Sequence, residues 1–180
     1  MKIETERLVL RNWLKRDLKP FASMNSDPVV MEFFPKMLSE DESNAMAANI
    51  QNHLDREGWG LWAVERKDCG KFIGFTGLSV PKVILPFSPC VEIGWRLAKE
   101  HWGKGFASEA ARAVLKFAFS EIQLEEVVSF TAKINLRSQA VMKRIGMQNT
   151  DFDFKHPNVP PESILCHHVL FKAFRTLLSS

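Results

Sequence analysis

The stretch CVEIGWRLAKEHWGKGFASEAARAVLKFAF, residues 90–119, constrains the fold more than any other part of the chain. Residues 90–97 read as a strand in which Val91, Ile93, Trp95 and Leu97 face one way and Cys90, Glu92, Gly94 and Arg96 the other. Residues 104–122 read as a helix. Glu109, Arg112, Lys116 and Ser120 form one polar stripe, and Ala110, Ala111, Val114, Leu115, Ala118 and Ile122 cover the rest. The turn between them contains Gly103 and Gly105, followed by the small residues Ala107 and Ser108. Such a turn aims unpaired helix N–H groups and the positive end of the helix dipole at its occupant, and it lets a phosphate approach the backbone. It is not a P-loop, because G-x4-G-K-[ST] is absent, and it lacks the third glycine of a dinucleotide fingerprint.

The remaining segments alternate in type. Residues 6–13 read as a strand, 17–26 as a helix begun by Asp17, and 27–34 as a short helix opened by Asp27-Pro28 and stopped by Pro35. Ser39 starts a long helix with acids in its first turn and Gly58 just past its end. Strands are expected at 59–66, 71–80, 127–133, 147–153 and 163–173, with a proline-rich loop at 81–89. Asn135 begins another helix, which Lys143, Arg144 and Gly146 end. Strands alternating with helices, and no repeat or linker, give an α/β layered sheet in a single domain, 1–180.

A net charge of +3 suits a polyanionic ligand such as a nucleotide, but the basic residues neither cluster nor interleave with aromatics as nucleic-acid binding requires. Cys69, Cys90 and Cys166 are odd in number and have no CxxC spacing, so neither a disulfide framework nor a zinc site is indicated. His167 and His168 are adjacent in a strand and point apart, and His101 reads as a surface residue, so no metal is expected. The start of the chain lacks a signal-type apolar region, and no apolar run approaches the ~20 residues that span a bilayer. A cytoplasmic protein with no membrane partner is the expectation.

TERLVLR, DPVVMEFFP, VEIGWRL, WGKGFASEA and NLRSQAVMKRIGM occur in that order. Together, from about residue 3 to residue 173, they resemble the GNAT acetyltransferase superfamily, in its ribosomal-protein N-terminal acetyltransferase (RimJ/RimL-like) branch. The resemblance implies a mixed, mostly antiparallel sheet splayed at strand 90–97, with helices on both faces. It implies transfer of acetyl from acetyl-CoA to a primary amine, on a peptide N-terminus or a small molecule, and it leaves room for a homodimer. The family's Q/R-x-x-G-x-G/A loop falls on Trp102, Gly105 and Ala107, with Trp102 departing from the pattern. Trp102, Gly103, Lys104, Gly105, Phe106, Ala107 and Ser108 are then the pyrophosphate segment. The resemblance also implies that the backbone of Trp95, Arg96 and Leu97 pairs with the pantetheine, so that the carbonyl of the acetyl thioester lies near a backbone N–H that serves as an oxyanion hole. Asn135 is either a pantetheine ligand, as in the family, or simply a helix N-cap. Phe33 and Phe34 fall where relatives build the acceptor groove, though a short helix would also pack them as core.

The chemistry needs a base for the amine proton. Glu92 is the candidate, acting directly or through water. A glutamate in a strand is disfavoured and costly if buried unpaired, Gly94 leaves space beside it, and Arg96 lies ~13 Å away along an extended strand. A bond to a loop amide or to an adjacent strand would also account for it. Relatives often carry a tyrosine as the thiolate's acid at the position of Met142. This chain has no tyrosine, which leaves Ser138 as the nearest hydroxyl. That gap keeps a rival reading open, a non-catalytic acyl-CoA-binding module.

Overall fold

A computed structural model describes residues 2–175. Eight strands form one sheet in the order β1-β2-β3-β4-β5-β6-β8-β7. They are β1 Ile3–Glu4, β2 Leu8–Arg11, β3 Leu61–Arg66, β4 Phe72–Ser79, β5 Glu92–Leu97, β6 Glu126–Ala132, β7 Gln148–Lys155 and β8 His167–Phe174. Four α-helices accompany them: α1 Leu18–Asn25, α2 Glu40–Glu57, α3 Phe106–Ser120 and α4 Leu136–Arg144. Every neighbouring pair is antiparallel except β5 and β6, which run parallel and meet at Glu92 and Val128 alone. The sheet is therefore splayed where the resemblance implies.

Local chemistry accounts for the helix ends. Ser39 and Glu42 form a reciprocal capping box, and Gly58 ends α2 in the left-handed region at φ 75°. Asp17 does start α1, but its carboxylate accepts from Leu14 N–H and from Arg11 instead of capping the helix. The expected helix at 27–34 is a series of turns. The Asp27 side chain accepts from Val29 N–H at 2.8 Å, offering the backbone a local alternative to helical bonding. The short β1, pairing with β2, has no counterpart in the pattern expected from sequence.

Both faces of the sheet are covered, but unevenly. On one face α3 packs on β4 and β5, with Trp62 edge-on to Phe117, and α4 packs on β6 and β7. On the other, α1 and α2 cover β3 and β4, where Trp13, Phe21 and Phe75 interlock. The 81–90 loop covers the far end, placing Leu85 and Phe87 over Val128, Phe154 and Leu170. Between those two covers, β5 is left with Glu92 and Gly94 only half-buried. The cleft opens there. Among the described residues no helix is long and apolar enough to cross a membrane.

Candidate active site

A cleft of ≈ 1480 Å³ runs through the splay between β5 and β6. Its walls include Glu92, Trp95, Arg96, Trp102, Asn135 and Ser138, together with Phe33, Phe34 and the glycine turn. Residues far apart in sequence are thus brought to one site.

On the α3 side the cleft is made of main chain. Gly103 and Gly105 hold φ of 72° and 82°, a region costly for any side chain, and Gly105 occupies the N-cap position of α3 with no side-chain cap. The first N–H groups of a fifteen-residue helix therefore face the cleft without a side-chain partner. Gly103, Gly105, Phe106, Ala107 and Ser108 all line it. Lys104 does not point in, because its ammonium donates to Glu100 C=O within the turn. Farther out, Arg112 and Arg144 line the same end, joined by Arg112 donating to the Arg144 carbonyl.

The exposed edge of β5 follows from strand alternation. The Val91 carbonyl accepts from Val128 N–H at 2.9 Å, and that of Ile93 accepts from the Ser129 hydroxyl at 3.0 Å. Residues 91, 93, 95 and 97 thus direct their backbone groups toward β6. Beyond the one bridge, Trp95 meets no partner strand on that side. The Leu97 carbonyl is already taken by the Trp102 indole N–H at 2.8 Å, which leaves its N–H on that edge. Arg96 does not belong with these two. Its backbone faces β4, opposite Phe75, and its side chain emerges on the face away from α3. Arg96 therefore stands one position out of phase with the edge that Trp95 and Leu97 present.

The Asn135 amide caps α4, accepting from Ser138 N–H at 3.1 Å and donating to the Thr131 hydroxyl at 2.9 Å. Its capping role is thus met while it lines the cleft. Ser138 is one turn away on the same wall, and Met142 is buried.

Glu92 stands on the opposite side, half-buried, and among the described residues its carboxylate has no hydrogen-bond or ion-pair partner. Removal from water pushes its pKa up to about 8. The loop amide that would have explained it structurally is not there. Phe33 and Phe34 line the same half; neither belongs to a helix, and Phe34 stays well exposed.

Several residues of the site gave no sequence signal. Arg7 pairs with Glu109 and donates to the Lys104 carbonyl, while Thr5 also bonds Glu109, so the first hairpin clamps the glycine turn. Glu109 had read as part of a solvated stripe. Arg137 lies over both Trp102 and Phe33, bridging the two walls, and pairs with Glu32. His156 and His168 stack at 4.9 Å beside Phe130 and also line the cleft. His101 is buried beside Phe106 and is not a surface residue. Cys90 packs in the cluster under the 81–90 loop, away from the cleft lining. Among the described residues no group of three or more metal-ligating side chains converges.

Residues 7–148 match the acetyltransferase (GNAT) domain family. The uncharacterised protein YkkB of Bacillus subtilis is 33% identical over 147 residues, spanning 81% of this chain and 84% of its own. An Aspergillus fumigatus protein named FsC-acetyl coenzyme A-N(2)-transacetylase is 32% identical over 148 residues, spanning 78% of this chain and 62% of its own. Among solved structures, RimL, a ribosomal alpha-N-protein acetyltransferase in complex with coenzyme A, superposes with a TM-score of 0.78. It covers 97% of this chain and 98% of its own at 14% identity, which is a likeness of fold.

Proposed function

The chain belongs to the GNAT acetyltransferase family, and from that premise we propose that it transfers acetyl from acetyl-CoA to a primary amine by direct attack in a ternary complex. The observation that carries the proposal is the pairing of an uncapped, glycine-built helix start with an unpartnered Glu92 carboxylate on the two sides of one splayed cleft. A module that only bound acyl-CoA would need the first and has no use for the second.

The lining of the cleft suits acetyl-CoA. Amides of 103–108 meet the pyrophosphate, Arg112 and Arg144 stand at the phosphate end, and the free edge at Trp95 and Leu97 holds the pantetheine as an added strand would. Trp102 supports the edge through its bond to Leu97, and Asn135 orients α4. The thioester carbonyl then meets a β5 N–H, which stabilises the oxyanion that forms. The amine enters between Phe33, Phe34 and Glu92. Its nitrogen attacks the carbonyl carbon, Glu92 takes the amine proton directly or through water, and the C–S bond breaks; Ser138 donates a hydrogen bond to the leaving thiolate, which takes its proton from solvent. A base with a pKa near 8 is matched to an amine substrate at neutral pH.

The similarity to the RimL fold favours a peptide N-terminus as acceptor, and the named Aspergillus relative favours a small-molecule amine. A thiol-release assay with acetyl-CoA against N-terminal peptides, polyamines, amino acids and aminoglycosides tests the activity and ranks the two. Coenzyme A release with any primary amine supports the proposal. Tight coenzyme A binding with no release from any of them overturns it in favour of a binding module.

A further inference from the structure

The Arg96 side chain is buried at 8% exposure, lines the acceptor half of the cleft, and has no carboxylate beside it among the described residues. One N–H of its guanidinium donates to the Asn25 amide oxygen at 2.7 Å, and that amide is itself held by Ser43. The Nε–H is buried with no partner at all. The Phe34 ring lies over the guanidinium, 4.0 Å from its carbon, and Phe75 stands at 5.4 Å. Five N–H groups in a rigid fork are thus served by one neutral acceptor and two ring faces.

Taking a cation out of water without a counter-ion costs several kcal/mol, and one amide with two aromatic contacts offsets only part of that. Arginine cannot escape by giving up its proton, and burial lowers its pKa only to about 10. The missing anion is not a phosphate of the co-substrate. Those phosphates belong at the α3 N-terminus, on the other face of the sheet, where Arg112 and Arg144 already stand.

We propose that Arg96 receives a carboxylate of the acceptor, so that this enzyme acetylates amines that carry an acid group a short distance from the reacting nitrogen. The inference rests on the acetyl-transfer reading and names its substrate class. Glu92 and Arg96 share a face of β5 four residues apart, ~13 Å by strand rise. Two hydrogen bonds of ~3 Å take up part of that span and leave ~7 Å, about two residues of extended chain, between the amine and the acid. Planar carboxylate pairs edge-on with the guanidinium, which leaves Phe34 on the ring-stacked face, and Asn25 fixes the fork in place. Short peptides ending in a free carboxylate and longer peptides with an acidic residue next to the N-terminus both present this chemistry.

The test compares acid and amide partners that differ in nothing else. Glycylglycine is set against glycylglycinamide, and a pentapeptide with aspartate at its second position against its asparagine twin. Binding is measured by calorimetry on protein saturated with free coenzyme A, which needs no turnover, and kcat/KM by thiol release. Loss of one charge-assisted bond corresponds to roughly 10- to 100-fold, so in at least one pair the acid should bind that much more tightly than the amide. The pair that discriminates identifies the source of the carboxylate. In Arg96→Met the preference should vanish and acetyl-CoA KM should hold. Equal affinity for acid and amide in both pairs overturns the inference, with or without a folded variant. Absence of thiol release from every amine overturns acetyl transfer instead, and the calorimetric comparison still decides the role of Arg96.

Discussion

The two halves of the cleft are built from different material. On the α3 side the contacts are main-chain amides, set by Gly103, Gly105 and the free edge of β5. On the other side they are side chains: Glu92 and Arg96 from β5, and Phe33 and Phe34 from a turn. A main-chain site depends on backbone shape and tolerates many side chains, whereas a side-chain site changes with each substitution. The contrast explains how one architecture can keep a donor and vary its acceptor.

The strongest way to break this contrast is Gly105→Glu. The position holds φ 82°, a Cβ there would lie 3.3 Å from the Arg7 guanidinium, and the new carboxylate would repel phosphate. Calorimetry with free coenzyme A should find no binding, while unchanged affinity would show that the donor half is assigned to the wrong place. Glu92→Gln acts on the other half. Turnover should fall ~10²–10⁴-fold with acetyl-CoA affinity preserved, as expected for a lost general base. A fall below about threefold in a folded variant would leave Glu92 without that role.

A smaller effect sharpens the same point in stability. The Glu92 pKa is raised to about 8 in the folded chain against an ordinary 4.5. Its neutral form is thus favoured by folding, a contribution that is whole below about pH 4.5 and lost as pH rises through about 8. Glu92→Gln should therefore gain Tm relative to wild type progressively as pH rises from 5 to 8 and hold the gain above that. A constant difference across that range would mean that the carboxylate is well solvated.

What could be read in the sequence follows the same division. Gly103, Gly105 and Gly58 announce positive φ, and Ser39 and Asn135 announce helix starts, because those demands are local and few residue types meet them. Glu92 could be singled out because a glutamate facing Gly94 in a strand lacks a local reason. Non-local contacts gave no such sign. Glu109 repeats with a solvated stripe, yet it anchors Thr5 and Arg7 from about a hundred residues away in sequence. His156 and His168 meet only after β7 and β8 pair. The fate of Asp27 was decided by a two-residue hydrogen bond that competes with the helix its sequence suggests. Arg96 was grouped with its neighbours by position, when alternation turns its backbone and side chain away from theirs.

The central claim, that a base on the acceptor side serves a donor held on the other, is tested most directly by the pH dependence of kcat/KM with saturating acetyl-CoA. Wild type should show a step near pH 8, as Glu92 loses its proton, superimposed on the rise from the amine's own deprotonation. No descending alkaline limb is expected up to about pH 10, because no tyrosine exists to deprotonate, a serine does not titrate there, and burial pushes the Cys90 thiol up. The Glu92→Gln profile should lose the step near pH 8 and keep only the amine's own deprotonation. A wild-type profile unchanged by that substitution, or a bell with a falling limb that survives Cys90→Ala, would contradict the account.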